Sequence, residues 1–87
     1  SHFVLALPYP NPFNSKVNLN FNLSQTDQIR IDIYDMAGRK VSSLTNAIYS
    51  TGEHLISWDA SEMPSGSYII QAAHQRGVSN RQVLLVR

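Results

Sequence analysis

The sequence contains no cysteine, which excludes a disulfide framework, a thiolate metal site and a cysteine nucleophile. Charge of either sign is scarce: seven Lys and Arg stand against six Asp and Glu, for a formal net charge of +1. Such a chain lacks the basic field through which proteins hold nucleic acid or anionic membrane surfaces, so neither is expected as a partner. Long apolar runs are missing too, and with them any candidate for a transmembrane helix or a signal-peptide core; an export signal, if the parent protein has one, is expected upstream. What remains is an ordinary folding composition, 43% hydrophobic and 15% charged over 87 residues. It supports one domain spanning 1–87, with a single core and little room for an enzymatic cleft. Ser1 and His2 are compatible with a cloning remnant and carry no weight in the reading.

Period-two alternation recurs along the chain. From Lys16 to Leu23 every odd position is apolar and every even one polar, the signature of a half-buried antiparallel strand. Gln28 to Asp35 repeats the pattern, with Ile29, Ile31 and Ile33 facing one way and Arg30, Asp32 and Tyr34 the other. Further strands are expected over Phe3–Leu7, Lys40–Leu44, Glu53–Asp59, Ser67–His74 and Arg81–Arg87. His54, Ile56 and Trp58 share a face, as do Tyr68, Ile70 and Ala72, and Val83 and Leu85 oppose Leu84 and Val86. Between them, Asp35–Arg39, Pro64–Gly66 and Gln75–Gly77 read as turns, and Leu7–Ser15, with Pro8, Pro10 and Pro12, as a rigid entrance leading in from an upstream domain. About seven short strands with regular turn signals predict an all-β fold, an immunoglobulin-like sandwich.

Little in this inventory suggests chemistry. His54 and His74 lie on different strands with no obligatory carboxylate neighbour, and the phosphate-loop, zincin and nucleophile-elbow patterns are absent, so catalysis is not expected. His54 reads as a packed strand residue and His74 as one that titrates in solvent. Asp27, Asp32, Asp35, Asp59 and Glu62 match no calcium-loop spacing, and Asp35 has a simpler task in accepting N–H bonds within its own turn. No metal or cofactor is expected. Carbohydrate binding is the alternative with physical content: Tyr34 facing outward, Tyr49 in a loop and Trp58 are the aromatic planes a sugar could stack on, although a core position suits Trp58 better.

The motifs form an ordered series: Tyr9-Pro10-Asn11-Pro12-Phe13-Asn14; Ile31 to Val41 with the turn Asp35-Met36-Ala37-Gly38-Arg39; Gly52-Glu53-His54 leading to Trp58-Asp59; Met63 to Tyr68; and Val83-Leu84-Leu85-Val86-Arg87. This series resembles the C-terminal sorting domain, type A, of the bacterial type IX secretion pathway, itself similar to the immunoglobulin-like domain of flagellar hook-capping proteins. The segment after Trp58-Asp59 is short, which favours the sorting domain, and Arg81 stands where the family commonly has lysine. The resemblance implies a non-catalytic export signal that is carried behind an N-terminal passenger, passes through the periplasm and is read by the outer-membrane translocation machinery. A sortase-like peptidase would then remove it, leaving the passenger released or on the cell surface. It also assigns Pro10, Asn11, Pro12 and Phe13 to the entrance motif, Asp35, Gly38 and Arg39 to the turn, Gly66 and Tyr68 to a Gly-x-Tyr motif, and Gly77 with Val83 to Arg87 to the sorting signal. Arg87 would offer its guanidinium to a receptor, and an exposed edge of the last strand could take up a receptor strand or pair with a second copy.

Overall fold

The alternating segments fold as strands whose apolar faces meet. The structure, a computed structural model, describes residues 2–87. It contains β1 (Phe3–Leu5), β2 (Lys16–Leu23), β3 (Asp27–Asp35), β4 (Lys40–Tyr49), β5 (Gly52–Asp59), β6 (Gly66–His74) and β7 (Gly77–Leu85). A three-stranded sheet in the order β1-β2-β5 faces a four-stranded sheet in the order β4-β3-β6-β7, and every pairing is antiparallel. Among the described residues no helix is long and apolar enough to cross a membrane.

The odd positions of β2 (Val17, Leu19, Phe21, Leu23) are buried against Ile29, Ile31 and Ile33 of β3, Ile70 of β6, and Val83 and Leu85 of β7. This is the face the alternation picks out. Asp32 departs from it: on the solvent side of a central strand it is nonetheless buried, because Arg30, two residues back on the same face, lays its guanidinium over it with Nε 2.8 Å from Oδ2. The register between β3 and β4 also shifts between Ile31 and Asp32.

Boundaries differ from the sequence reading where strands lie at an edge. β4 runs on to Tyr49 where Leu44 was expected, and β7 spans Gly77–Leu85 in place of Arg81–Arg87. Edge strands bury little, so their sequences need not alternate cleanly. Tyr49 is therefore a strand residue, half-buried, its ring 5.1 Å from Phe21 and 4.9 Å from His54 and its hydroxyl 2.6 Å from that of Thr45. His74 does not titrate free in solvent: its ring stacks on Phe3 at 4.4 Å, and burial pushes its pKa down. His2, given no weight in the sequence, is buried and donates from Nε2 to Asp27 at 2.8 Å.

The register divides the turns between two ends of the sandwich. One end holds the starts of β2, β4 and β6 and the finishes of β3, β5 and β7, since Lys16 pairs with Asp59, Asp35 with Tyr68, and Gly66 with Leu85. The other end holds His2, the start of β3, and the β4–β5 and β6–β7 turns.

Candidate functional site

The entrance, the Asp35 turn, the Gly-x-Tyr motif and the last residues all lie at the first of these ends. Their grouping begins with residues 8–15, which cross from one sheet to the other. Tyr9 is bonded both ways to Asn18 of β2, N–H to O at 3.1 Å and O from N–H at 2.8 Å. Two residues later the chain has reached β7. The Asn11 carboxamide carries a donor and an acceptor with the spacing of a peptide group, and it behaves as one: Nδ2 donates to Gln82 O at 3.2 Å, and Oδ1 accepts from Leu84 N–H at 3.0 Å. Phe13 continues the track, its N–H donating to Leu84 O at 2.9 Å and its carbonyl accepting from Val86 N–H at 2.8 Å. The segment bridges β7 in parallel at Phe13 and Leu85. The edge of the last strand from Gln82 to Val86 is thus already paired within the chain, which corrects the expectation of an open edge there: the proline-rich segment ahead of β2 has taken the place a receptor strand would occupy.

Removing that carboxamide should register in the strand it caps. Asn11→Ala is expected to lower the unfolding free energy by about 1–2 kcal/mol, two exposed hydrogen bonds being lost without a buried orphan. It should also speed hydrogen exchange at the Leu84 amide while leaving the Ile31 amide, in the centre of its sheet, unchanged. Equal exchange at Leu84 in both proteins would show that the contact contributes nothing.

Side chains lock the crossing in place. Phe13 is 3% exposed and packs on Trp58 at 5.8 Å; Trp58 in turn meets Tyr68 edge-on at 5.2 Å. The Tyr68 hydroxyl donates to Pro64 O at 2.6 Å, tying the ring to the turn that leads into β6. Gly66, two residues before, has φ +149°, a value that L side chains rarely adopt. Trp58 and Tyr49 are packed in this way, so neither ring offers a face to a sugar, and Tyr34 stands half-buried apart from them.

Asp35 organises the adjacent turn. Its Oδ1 accepts from the Ala37 and Arg39 N–H groups at 3.0 Å each, and Gly38 supplies the positive φ of +86° that the turn requires. The Arg39 guanidinium adds a bond to Oδ2 at 3.0 Å, but its side chain is 80% exposed, so the pairing contributes little beyond the N–H bonds. Those N–H bonds, Arg39's foremost, hold the Asp35 carboxyl below the ordinary range, and the Ser61 N–H does the same for Asp59 across the end. A carboxyl whose folded pKa is depressed contributes stability that is complete above its unfolded value, 3.8, and is lost as pH falls through the folded value. Urea midpoints should therefore begin to decline below about pH 6.5, where the unfolded chain protonates His74 and the folded one resists it, and fall steeply below about pH 4, less steeply in Asp35→Asn; a midpoint unchanged to about pH 2.5 would contradict this.

Arg87 completes the end. Its guanidinium is ringed by carbonyls of the β5–β6 connection: Nη2 reaches Ala60 O at 3.0 Å, Met63 O at 2.7 Å and Ser61 O, and Nε reaches Met63 O at 3.1 Å. Its own N–H donates to Ser65 Oγ at 3.1 Å. The expectation that this guanidinium faces a receptor is corrected: a planar fork of donors suits several converging carbonyls, and the loop after Trp58-Asp59 closes around it. Arg81, likewise, sends Nη2 across the sandwich to Leu5 O at 2.5 Å, tying β7 to β1.

A family model of the secretion system C-terminal sorting domain matches residues 8–86. The chain belongs to that family. The match opens at the entrance segment and closes at the last strand, the two stretches bonded to each other here. A search of the curated proteins finds no match. Sequence reasoning missed that the motifs, dispersed over eighty residues, share one end of the fold. No local pattern carries that signal, since the partners of Asn11 lie 71 and 73 residues away.

Beside the entrance, this end of the sorting domain exposes apolar side chains. Leu84 and Val86 are 41% and 49% exposed, and Val86 lines a shallow depression with Pro10, Pro12, Phe13 and Asn14. Gly77, at the start of β7, lies at the far end of the strand and outside this surface.

Proposed function

We propose that this sorting domain acts without catalysis as the export signal of a larger polypeptide, and that the type IX outer-membrane machinery reads it through the composite surface of Pro10, Pro12, Leu84 and Val86. The passenger precedes it on the same chain, travels through the periplasm, and is cleaved by a sortase-like peptidase before release or attachment at the cell surface. The observation that carries this reading is the covalently distant, hydrogen-bonded pairing of the entrance with the last strand. A receptor that reads the pair reads a folded domain, because an unfolded chain does not bring the two together. The histidines support a non-catalytic role: His54 donates to Ser50 O at 2.8 Å and packs among Tyr49 and Phe21, while His74 lies on Phe3.

The test is export of a fluorescent passenger fused ahead of the 87-residue chain, in hosts with and without an intact type IX system. Surface delivery should depend on the pathway and be lost in the double variant Leu84→Glu, Val86→Glu. Both positions are exposed, so the purified variant should keep its cooperative melt. Passenger retained in the periplasm of both hosts, or delivered equally by a folded variant, would overturn the reading.

A further inference from the structure

At the end opposite the family motifs, three side chains from separate elements converge. His2 precedes β1, Asp27 opens β3 and His74 closes β6. One ligating atom from each lies within 4.8 Å of those of the other two. His2 donates from Nε2 to Asp27 Oδ2 at 2.8 Å, and the same oxygen accepts from the Gln75 N–H at 2.9 Å. The two imidazoles meet edge to face at 5.7 Å between ring centres.

Hydrogen bonding leaves this cluster unfinished. Nδ1 of His2 and Nδ1 of His74 are both buried with no hydrogen-bond partner among the described residues, and His2 as a whole is only 6% exposed. Nε2 of His74 has Ser79 Oγ, at 3.4 Å. Buried polar atoms are ordinarily satisfied, and two orphaned nitrogens on the rings that gather around one carboxylate need an explanation.

We infer that His2, Asp27 and His74 form a site for a divalent zinc-class ion. Two imidazoles and a carboxylate are a donor set that suits zinc, with a fourth position left to water. Tetrahedral ligands at about 2.0–2.1 Å from the metal lie about 3.4 Å from one another, so the cluster contracts by roughly 1.4 Å at most on binding. The ring torsions of His2 and His74 supply that movement. The ion would join the residues before β1 to both β3 and β6, fastening the far end of the sandwich as Phe13 and Arg87 fasten the motif end. This departs from the sequence expectation of no metal, which considered carboxylates alone and set His2 aside.

Zinc alone, added to the 87-residue chain at neutral pH, tests the site. One equivalent should bind and raise the melting temperature, and Co²⁺ in its place should give the intense visible bands of tetrahedral coordination. His2→Gln and His74→Gln should each weaken binding by about tenfold or more, while His54→Gln, outside the cluster, should leave it unchanged. Because a variant could unfold, the ring nitrogens of the unaltered chain are also to be followed by ¹⁵N NMR, where zinc should shift His2 and His74 and spare His54. An unchanged melt with no cobalt bands, shifts centred on His54, or undiminished affinity in both variants would overturn the inference.

Discussion

Phe13→Ala should lower the unfolding free energy by about 3–5 kcal/mol, the range for deleting a buried aromatic ring. A domain of this length holds about 4–13 kcal/mol in total, so the variant should sit near the edge of folding. Two effects add in this substitution. The ring fills the space against Trp58 at 5.8 Å, and its backbone bonds align the entrance on β7 at Leu84 and Val86. Phe13→Leu separates them, because it keeps much of the apolar volume and all of the backbone bonds, and should cost less than half as much. Urea unfolding monitored by the fluorescence of Trp58 reads both. A loss below about 1 kcal/mol in Phe13→Ala would mean that the entrance is not part of the cooperative core.

Deleting Arg81 to Arg87 should abolish folding altogether. The deletion strips Val83 and Leu85, each 1% exposed, at about 2–4 kcal/mol apiece. It also removes every partner of Asn11 and Phe13 on β7, the ring of carbonyl contacts around Arg87, and the Arg81 tie to β1. The sum approaches or exceeds the whole stability of a domain this size. Circular dichroism and a one-dimensional proton spectrum of the truncated chain should show loss of sheet signal and of dispersed methyl resonances. A cooperative melt in the truncated chain would contradict the prediction. The consequence for export assays is direct: truncation of the last strand removes the fold along with any signal in it, and only exposed substitutions such as those at Leu84 and Val86 separate the two.

The strands with one face in the core were legible because burial imposes alternation. β2 has the bounds its pattern indicates, and β3 begins one residue early, at Asp27. The edge strands were less so: from Thr45 to Tyr49 and from Val78 to Asn80 the residues answer mainly to backbone pairing, which any side chain permits. Asp35 and Gly38 could be read from sequence since the whole of their turn is local. Asn11 could not, because a carboxamide that stands in for a peptide group looks in sequence like any loop asparagine. Arg87 was assigned outward for a similar reason: a terminal charge reads as solvated until the loop from Ala60 to Met63 is seen to present its carbonyls. His2 and His74 lacked any pattern at all, being set beside Asp27 only by the pairing of β1 with β2 and of β3 with β6.

The entrance and β7 run in the same direction where they meet. Tension applied through the residues ahead of Leu7 and through Arg87 therefore pulls the two segments past each other along their length, and the bonds at Gln82, Leu84 and Val86 bear the load together. An antiparallel pair pulled from its open end would instead unzip, each bond failing before the next is loaded. Where the entrance meets β7, the contact therefore resists a pull along the chain as a block.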